Sequence, residues 1–332
     1  MAAGFTERRP ATLPGPSATV RAVYAALPLF TARLASAAVV VAGVTFLVFL
    51  LLHLVPGDPV EVMLGEYATA GDRAALRQAL GLDRPLATQW FAFVEGLARG
   101  DLGTSLASGR PVAALVAERL RMTTVLALAG LGVAIAIGLP LGVLAALARG
   151  RAWDGVTSAL AVLGMSIPNF VLGPLLMLVF AVLLGWFPIG GADGARALVL
   201  PALTLGTSLA AIIARMSRAA MIDVLGEPYV LAARARGLDE RRVVLVHALR
   251  NAALPIVTTL GLQLGALLGG AVITETVFGW PGLGLLVVDS IHRRDYPVVQ
   301  ACVLVIALAY VLVNTLTDLL CAWLDPRIGG AR

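Results

Sequence analysis

The sequence predicts an all-α, polytopic membrane bundle of six transmembrane helices, with a small helical region outside the bilayer after the first span. Three observations predict it. Hydrophobic residues make up 59% of the 332 positions and charged residues only 14%, against roughly 45–50% and about 25% in soluble domains. Six apolar runs lie along the chain, each close to the ~20 residues that cross ~30 Å of hydrocarbon. The arginines gather on alternate loops between those runs. A disordered chain, a coiled coil and a water-soluble enzyme are excluded, because so large an apolar excess must face something other than water.

Residues 1–32 carry Arg8, Arg9, Arg21 and several prolines without periodicity, and read as a flexible cytoplasmic leader. A twin-arginine signal fits poorly, since the apolar run begins far downstream. That run, 34–55 within a first span of 33–55, exceeds the 7–15-residue core of a signal peptide. Pro56-Gly57-Asp58-Pro59 ends it. Residues 56–121 mix acids with seven arginines and place Leu76, Leu80, Trp90, Phe93, Val94 and Leu97 at helical spacing, as in a small, partly helical extracytoplasmic region. Five further spans follow, 122–147, 156–184, 198–214, 252–273 and 298–320, in a transmembrane domain over 119–322. The span 156–184 is longer than needed and must tilt, protrude or kink at Pro168 or Pro174.

Six spans put both termini on one side. The leader, residues 148–155 and 215–251 and the C-terminus hold most of the arginines, whereas the short loops opposite hold only Arg196, Arg293 and Arg294. N-in and C-in follow.

The chemistry is mostly exclusion. All 25 basic side chains are arginine. With no lysine, the chain has neither a P-loop nor a Schiff-base lysine. Cys302 and Cys321 lie about 28 Å apart along one helix, too far for a disulfide. The histidines His53, His247 and His292 are scattered, so no metal site is expected, and nothing points to a nucleic-acid partner. The spans hold few ionisable groups, chiefly His53 and Asp318, where an ion-coupled transporter needs buried carboxylates or histidines. An intramembrane enzyme would need paired Asp or Ser/His groups, and none appears. Asn314, one turn before Asp318, reads either as half of a satisfied polar pair or as part of a path. Ser166, Pro168 and Asn169 break a span at depth, which marks either a simple kink or a translocation path. Gly138 and Gly142, and Gly261, Gly265 and Gly269, sit at the small-residue spacing of closely packed membrane helices.

The most unusual segment is 227–255. Glu227 precedes Pro228, which suits a helix first turn. Tyr229 to Arg236 is short, Ala-rich and helical, with Ala232, Ala233, Arg234 and Arg236 on it. Gly237 ends it in the left-handed conformation, and Leu238 supplies the hydrophobic contact of a Schellman cap. Asp239 then N-caps a second helix through Val243, Val244 and Val246, which continues through Arg250, Asn251 and Pro255. Such a helix–turn–helix reads either as a solvated basic loop or as a small-residue surface that fits a groove on another protein.

This segment resembles the EAA loop of ABC-importer permeases, in the form found among dipeptide, oligopeptide, glutathione and nickel permeases. Gly81-Leu82-Asp83, Gly100-Asp101-Leu102-Gly103, Phe278-Gly279-Trp280-Pro281-Gly282-Leu283-Gly284, Arg294-Asp295-Tyr296-Pro297 and Asp325-Pro326-Arg327-Ile328 add to the likeness, which runs from about Thr31 to Ile328. It departs at Leu231, where the general pattern has Glu, and at Arg236, where Lys is usual. The resemblance implies a type I importer transmembrane domain in the lipid bilayer. It would pair with a second homologous permease, two cytoplasmic ATP-binding subunits that use ATP and Mg, and an extracytoplasmic solute-binding protein. Tyr229–Gly237 would be the coupling helix. No cofactor is expected on this chain, and the cargo is a dipeptide or oligopeptide, with glutathione or a nickel chelate as alternatives.

Overall fold

The computed structural model describes residues 38–50, 59–64 and 68–324; the leader, Pro56-Gly57-Asp58 and residues 325–328 lie outside the described residues. Those described form helices and connections, with one isolated bridge between Thr104 and Pro111. A short apolar helix α1 (Ala38–Leu50) precedes three helices of the outlying region: α2 (Pro59–Leu64), α3 (Ala70–Ala79) and α4 (Leu86–Ala98). α3 opens on a reciprocal capping box between Thr69 and Asp72.

The bundle follows. α5 (Val112–Leu147) has 36 residues, about 54 Å at ~1.5 Å per residue. It begins well before the expected Met122, because Val112, Leu115 and Val116 pack on Leu283, Val298, Ala301 and Cys302. α8 (Ala195–Leu225) likewise continues beyond the expected Ala214. Both differences have one cause. Hydropathy reports the thickness of the bilayer, whereas a helix continues for as long as neighbours cover it.

α5 and α8 run parallel in close contact. A Cβ at Gly138 would collide with the Ala210 carbonyl, and one at Gly142 with the Ala214 carbonyl, so the expected small-residue spacing is used for backbone approach. The long span 156–184 is broken. α6 (Ala152–Ser166) ends at Ile167, which is extended before Pro168, and α7 (Asn169–Leu176) restarts there and passes into a π-helical stretch, Met177–Leu183. This pair runs antiparallel to α8, with Asp154 near Arg218 and Asn169 near Ser208.

After α8 come α9 (Pro228–Ala235), α10 (Glu240–Arg242), a π-helical stretch Val243–Ala248 and α11 (Leu249–Gly270). The span expected to start at Ala252 therefore belongs to a helical run from Glu240. α12 (Val272–Phe278) and α13 (Leu283–His292) are bent by 81° at the Gly279–Gly282 turn, where a plain outer loop was expected. α14 (Tyr296–Leu324) returns antiparallel to α11, with Gly261 facing Thr317 and Gly269 facing Ile306. Four helices are long and apolar enough to cross a membrane, or five with the bent pair, among the described residues. The core between them joins Leu126, Ala134, Leu205, Ile213, Leu267 and Trp280.

Candidate functional site

The segment between α8 and α10 sits at one end of the bundle. Its local folding follows from three residues. Pro228 is the first helical residue of α9, where its missing N–H costs nothing. Gly237 has φ +77°, and there the chain reverses. The Gly237 N–H donates to the Arg234 carbonyl at 2.9 Å and the Leu238 N–H to the Ala233 carbonyl at 3.4 Å, which is the Schellman pattern. Leu238 closes the cap against Val230, Ala233 and Val243, with Val224 and Leu225 from α8 completing the cluster.

α9 therefore has two faces. Val230 and Ala233 are buried, locking it to the ends of α8 and α10 at once. Tyr229, Leu231, Ala232, Arg234 and Arg236 are exposed. Arg234 reaches Glu240 with a two-pronged ion pair, 3.1 Å from Nε and 2.6 Å from Nη2, so it staples α9 to α10. Arg236 makes no ion pair among the described residues. Asp239 occupies the N-cap position of α10, and its carbonyl accepts the first intrahelical bond from the Val243 N–H at 3.0 Å, but its side chain makes no cap bond. Farther on, the Asn251 amide donates to the His247 carbonyl at 2.8 Å, Arg250 is exposed, and Pro255 lies inside α11.

The residues expected along a path are placed apart. Asn169 accepts from the Ser208 hydroxyl at 3.2 Å, against α8. Ser166 and Pro168 are exposed beside it. Asn314 faces α11 instead, its amide 3.8 Å from where a Cβ on Gly265 would stand.

Residues 138–330 match the family described as the binding-protein-dependent transport system inner membrane component. Residues 27–127 match the N-terminal region of the same systems' membrane components. The chain belongs to this permease family. It is 48% identical over 285 residues to a glutathione transport system permease protein GsiC of Pectobacterium atrosepticum, covering 86% of this chain and 93% of that one. Its identity to GsiC of Salmonella choleraesuis is 47% and to that of Escherichia coli K12 46%, with the same coverage. Among solved structures it resembles a chain of the inward-facing MetNI methionine ABC transporter. The TM-score is 0.54 at 25% identity, over 64% of this chain and 96% of that one. The protein is thus a membrane-spanning permease subunit of an ABC importer, a transport component that works with ATPase and binding-protein partners.

Three features of this permease went unread in its sequence. Arg218 on α8 grips Asp154 on α6 at 2.7 and 2.8 Å. That guanidinium, helped by the Gly150 N–H, holds the Asp154 carboxyl down to about 2. The signal was a lone acid in an arginine-rich loop. At the opposite end, Glu275 is fully buried. It accepts from the Thr123 hydroxyl at 2.6 Å and the Leu285 N–H at 3.1 Å, while Thr123 accepts from the Leu283 N–H at 2.8 Å. Gly282 and Gly284 leave the room for it, since a Cβ on either would collide with its carboxylate or with Val272. Asp295, 2% exposed, accepts from the Ser105 hydroxyl and the Leu106 and Ala107 N–H groups. It ties the turn before α5 to the turn before α14. Both acids stand in or beside motifs that had been singled out, but their role is visible only when α5, α12 and α13 come together.

Proposed function

We propose that this permease passes short peptides across a bacterial inner membrane by alternating access, worked from the cytoplasm through α9. The observation that carries the reading is the double anchorage of α9. One rigid helix, opened by Pro228 and capped at Gly237, is locked through Val230 and Ala233 to α8 and to the α10–α11 run, while its other face is bare. A push on the bare face is delivered to two long helices together, which suits a lever better than a loop. Tyr229, Ala232 and Arg236 would enter a groove on an ATP-binding subunit, two of which would hydrolyse MgATP. Arg234, Gly237 and Leu238 would keep the lever stiff, and Arg250, Asn251 and Pro255 would receive its movement in the first turns of α11. Glu227 would stand at its entry.

A second homologous permease would complete the path, and a solute-binding protein would deliver the cargo on the far side. The arginine distribution supports termini and coupling segment in the cytoplasm. The relatives named for glutathione transport weigh toward that tripeptide at least as strongly as toward ordinary dipeptides or oligopeptides. The test is uptake by the reconstituted system with its cognate binding protein, comparing labelled glutathione, a dipeptide, an oligopeptide and a nickel chelate. Uptake that proceeds without ATP on an ion gradient sinks the mechanism, and uptake of none of the peptides sinks the cargo.

A further inference from the structure

Helix α4 is strongly apolar, yet none of its residues is buried. Around its axis, Phe93, Leu86, Leu97, Trp90, Val94 and Phe91 form one continuous arc, and Thr88, Gln89 and Glu95 lie on the other side. Half of the arc is used. Trp90 packs edge-to-face on Phe46 and Phe49 of α1, with ring centres 5.5 Å apart in each pair. Beyond Trp90 the arc is bare, with Phe91 70% and Val94 37% exposed, and Leu86 in the first turn is 50% exposed. The bare edge is also continuous with bare apolar surface on α1, where Phe46 is 50% and Leu47 56% exposed.

The polar side of α4 makes only local bonds. Gln89 donates to the Arg84 carbonyl at 2.8 Å, and Arg99 pairs with Glu95. An open cavity of about 240 Å³ lined by Phe49, Thr88, Gln89, Phe93, Tyr296 and Gln300 places α4 near the first two turns of α14. α14 has 29 residues, about 44 Å, against ~30 Å of hydrocarbon, and it starts two residues before the apolar run 298–320, which puts its first turn at head-group level. Exposed Arg84 and Arg99 flank α4 there.

We infer that α4 lies in the head-group layer of the leaflet opposite the coupling segment, with the Phe91–Val94 edge among the acyl chains and the Thr88–Glu95 face in water. The occupant of the bare face is lipid. The apolar arc, the tryptophan at the boundary and the flanking arginines are those of an interfacial helix. The extramembrane helices are then tethered to the bilayer as well as to the bundle. The inference needs the chain to be in a membrane, and does not depend on its cargo or on the coupling role of α9.

The experiment uses the complete importer in nanodiscs of phosphatidylethanolamine and phosphatidylglycerol. Cys321→Ser is the background, with fully buried Cys302 left in place. Spin labels are attached at Phe91→Cys, Val94→Cys and Thr88→Cys, and collision with oxygen is compared with collision with a water-soluble nickel chelate. The expected oxygen-to-nickel ratio is several-fold higher at Phe91 and Val94 than at Thr88. Equal ratios at the three positions overturn the inference, because the helix then stands in water. Protection of Phe91 and Val94 that appears only after the solute-binding protein is added also overturns it, and makes the face a protein-docking surface. Two labelled positions keep the test open if one variant fails to assemble.

Discussion

Replacing Gly237 isolates the stiffness of the coupling helix from its contacts. The residue has φ +77°, and a Cβ built there meets nothing within 4 Å. A side chain therefore costs backbone strain and little else. For alanine that strain is about 1–2 kcal/mol, or roughly 5–30-fold in the ratio of capped to frayed α9. Valine, branched at Cβ, costs more, whereas asparagine tolerates the left-handed region and costs less. An eight-residue helix has almost no stability of its own, so the loss falls directly on the lever. ATP-driven uptake by the reconstituted complex should fall in the order Gly, Asn, Ala, Val, while ATP hydrolysis falls less and becomes uncoupled. Uptake at the wild-type rate for Gly237→Val, or a loss for Asn as large as for Val, refutes the argument that a capped rigid α9 transmits the stroke.

The other predictions use different contacts. Arg234→Ala and Glu240→Ala should impair uptake equally and without additivity, because they remove one ion pair. Arg236→Ala should instead weaken copurification of the ATP-binding subunits more at low salt than at high, because salt already screens an exposed charge. Gly282→Ala should lower the melting temperature of the solubilised permease by several degrees, since its Cβ would fall on the Glu275 carboxylate. Glu275→Leu, which strips partners from the Thr123 hydroxyl and the Leu285 N–H, should cost about 1–3 kcal/mol for each buried group left unpaired. Asp154 titrates lower in the fold than its ordinary 3.8. Its pairing with Arg218 therefore stabilises above that value and is lost as pH falls toward about 2. The melting-temperature gap between wild type and Asp154→Asn should accordingly be full at pH 5 and close as pH approaches 2.

Much of α9 was legible because its rules are local. Pro228 at the start, alanines within and Gly237 at the end act over one or two turns, and the structure places each as those rules require. Asp239 shows the limit of such rules: it stands at the N-cap position as read, but its side chain makes no cap bond. The break at Pro168 was also legible, as proline removes an N–H wherever it stands. Helix lengths were not. α5, α8 and the α10–α11 run overrun their apolar cores at ends where arginines and acids made the sequence look like loop. There the helices are covered by one another, as Val112 is by Val298.

By itself the chain's order of residues settled that it must live in lipid, that it is helical, and where its short capped helix begins and ends. Those outcomes depend on bulk hydropathy and on backbone sterics within a few neighbours. Only the packed bundle decided that Arg234 serves Glu240, that Asp154 is gripped by Arg218, and that Glu275 is enclosed by Thr123 and two glycines. Each of those pairings joins partners by direction as well as by chemistry, and direction is set when separate helices meet.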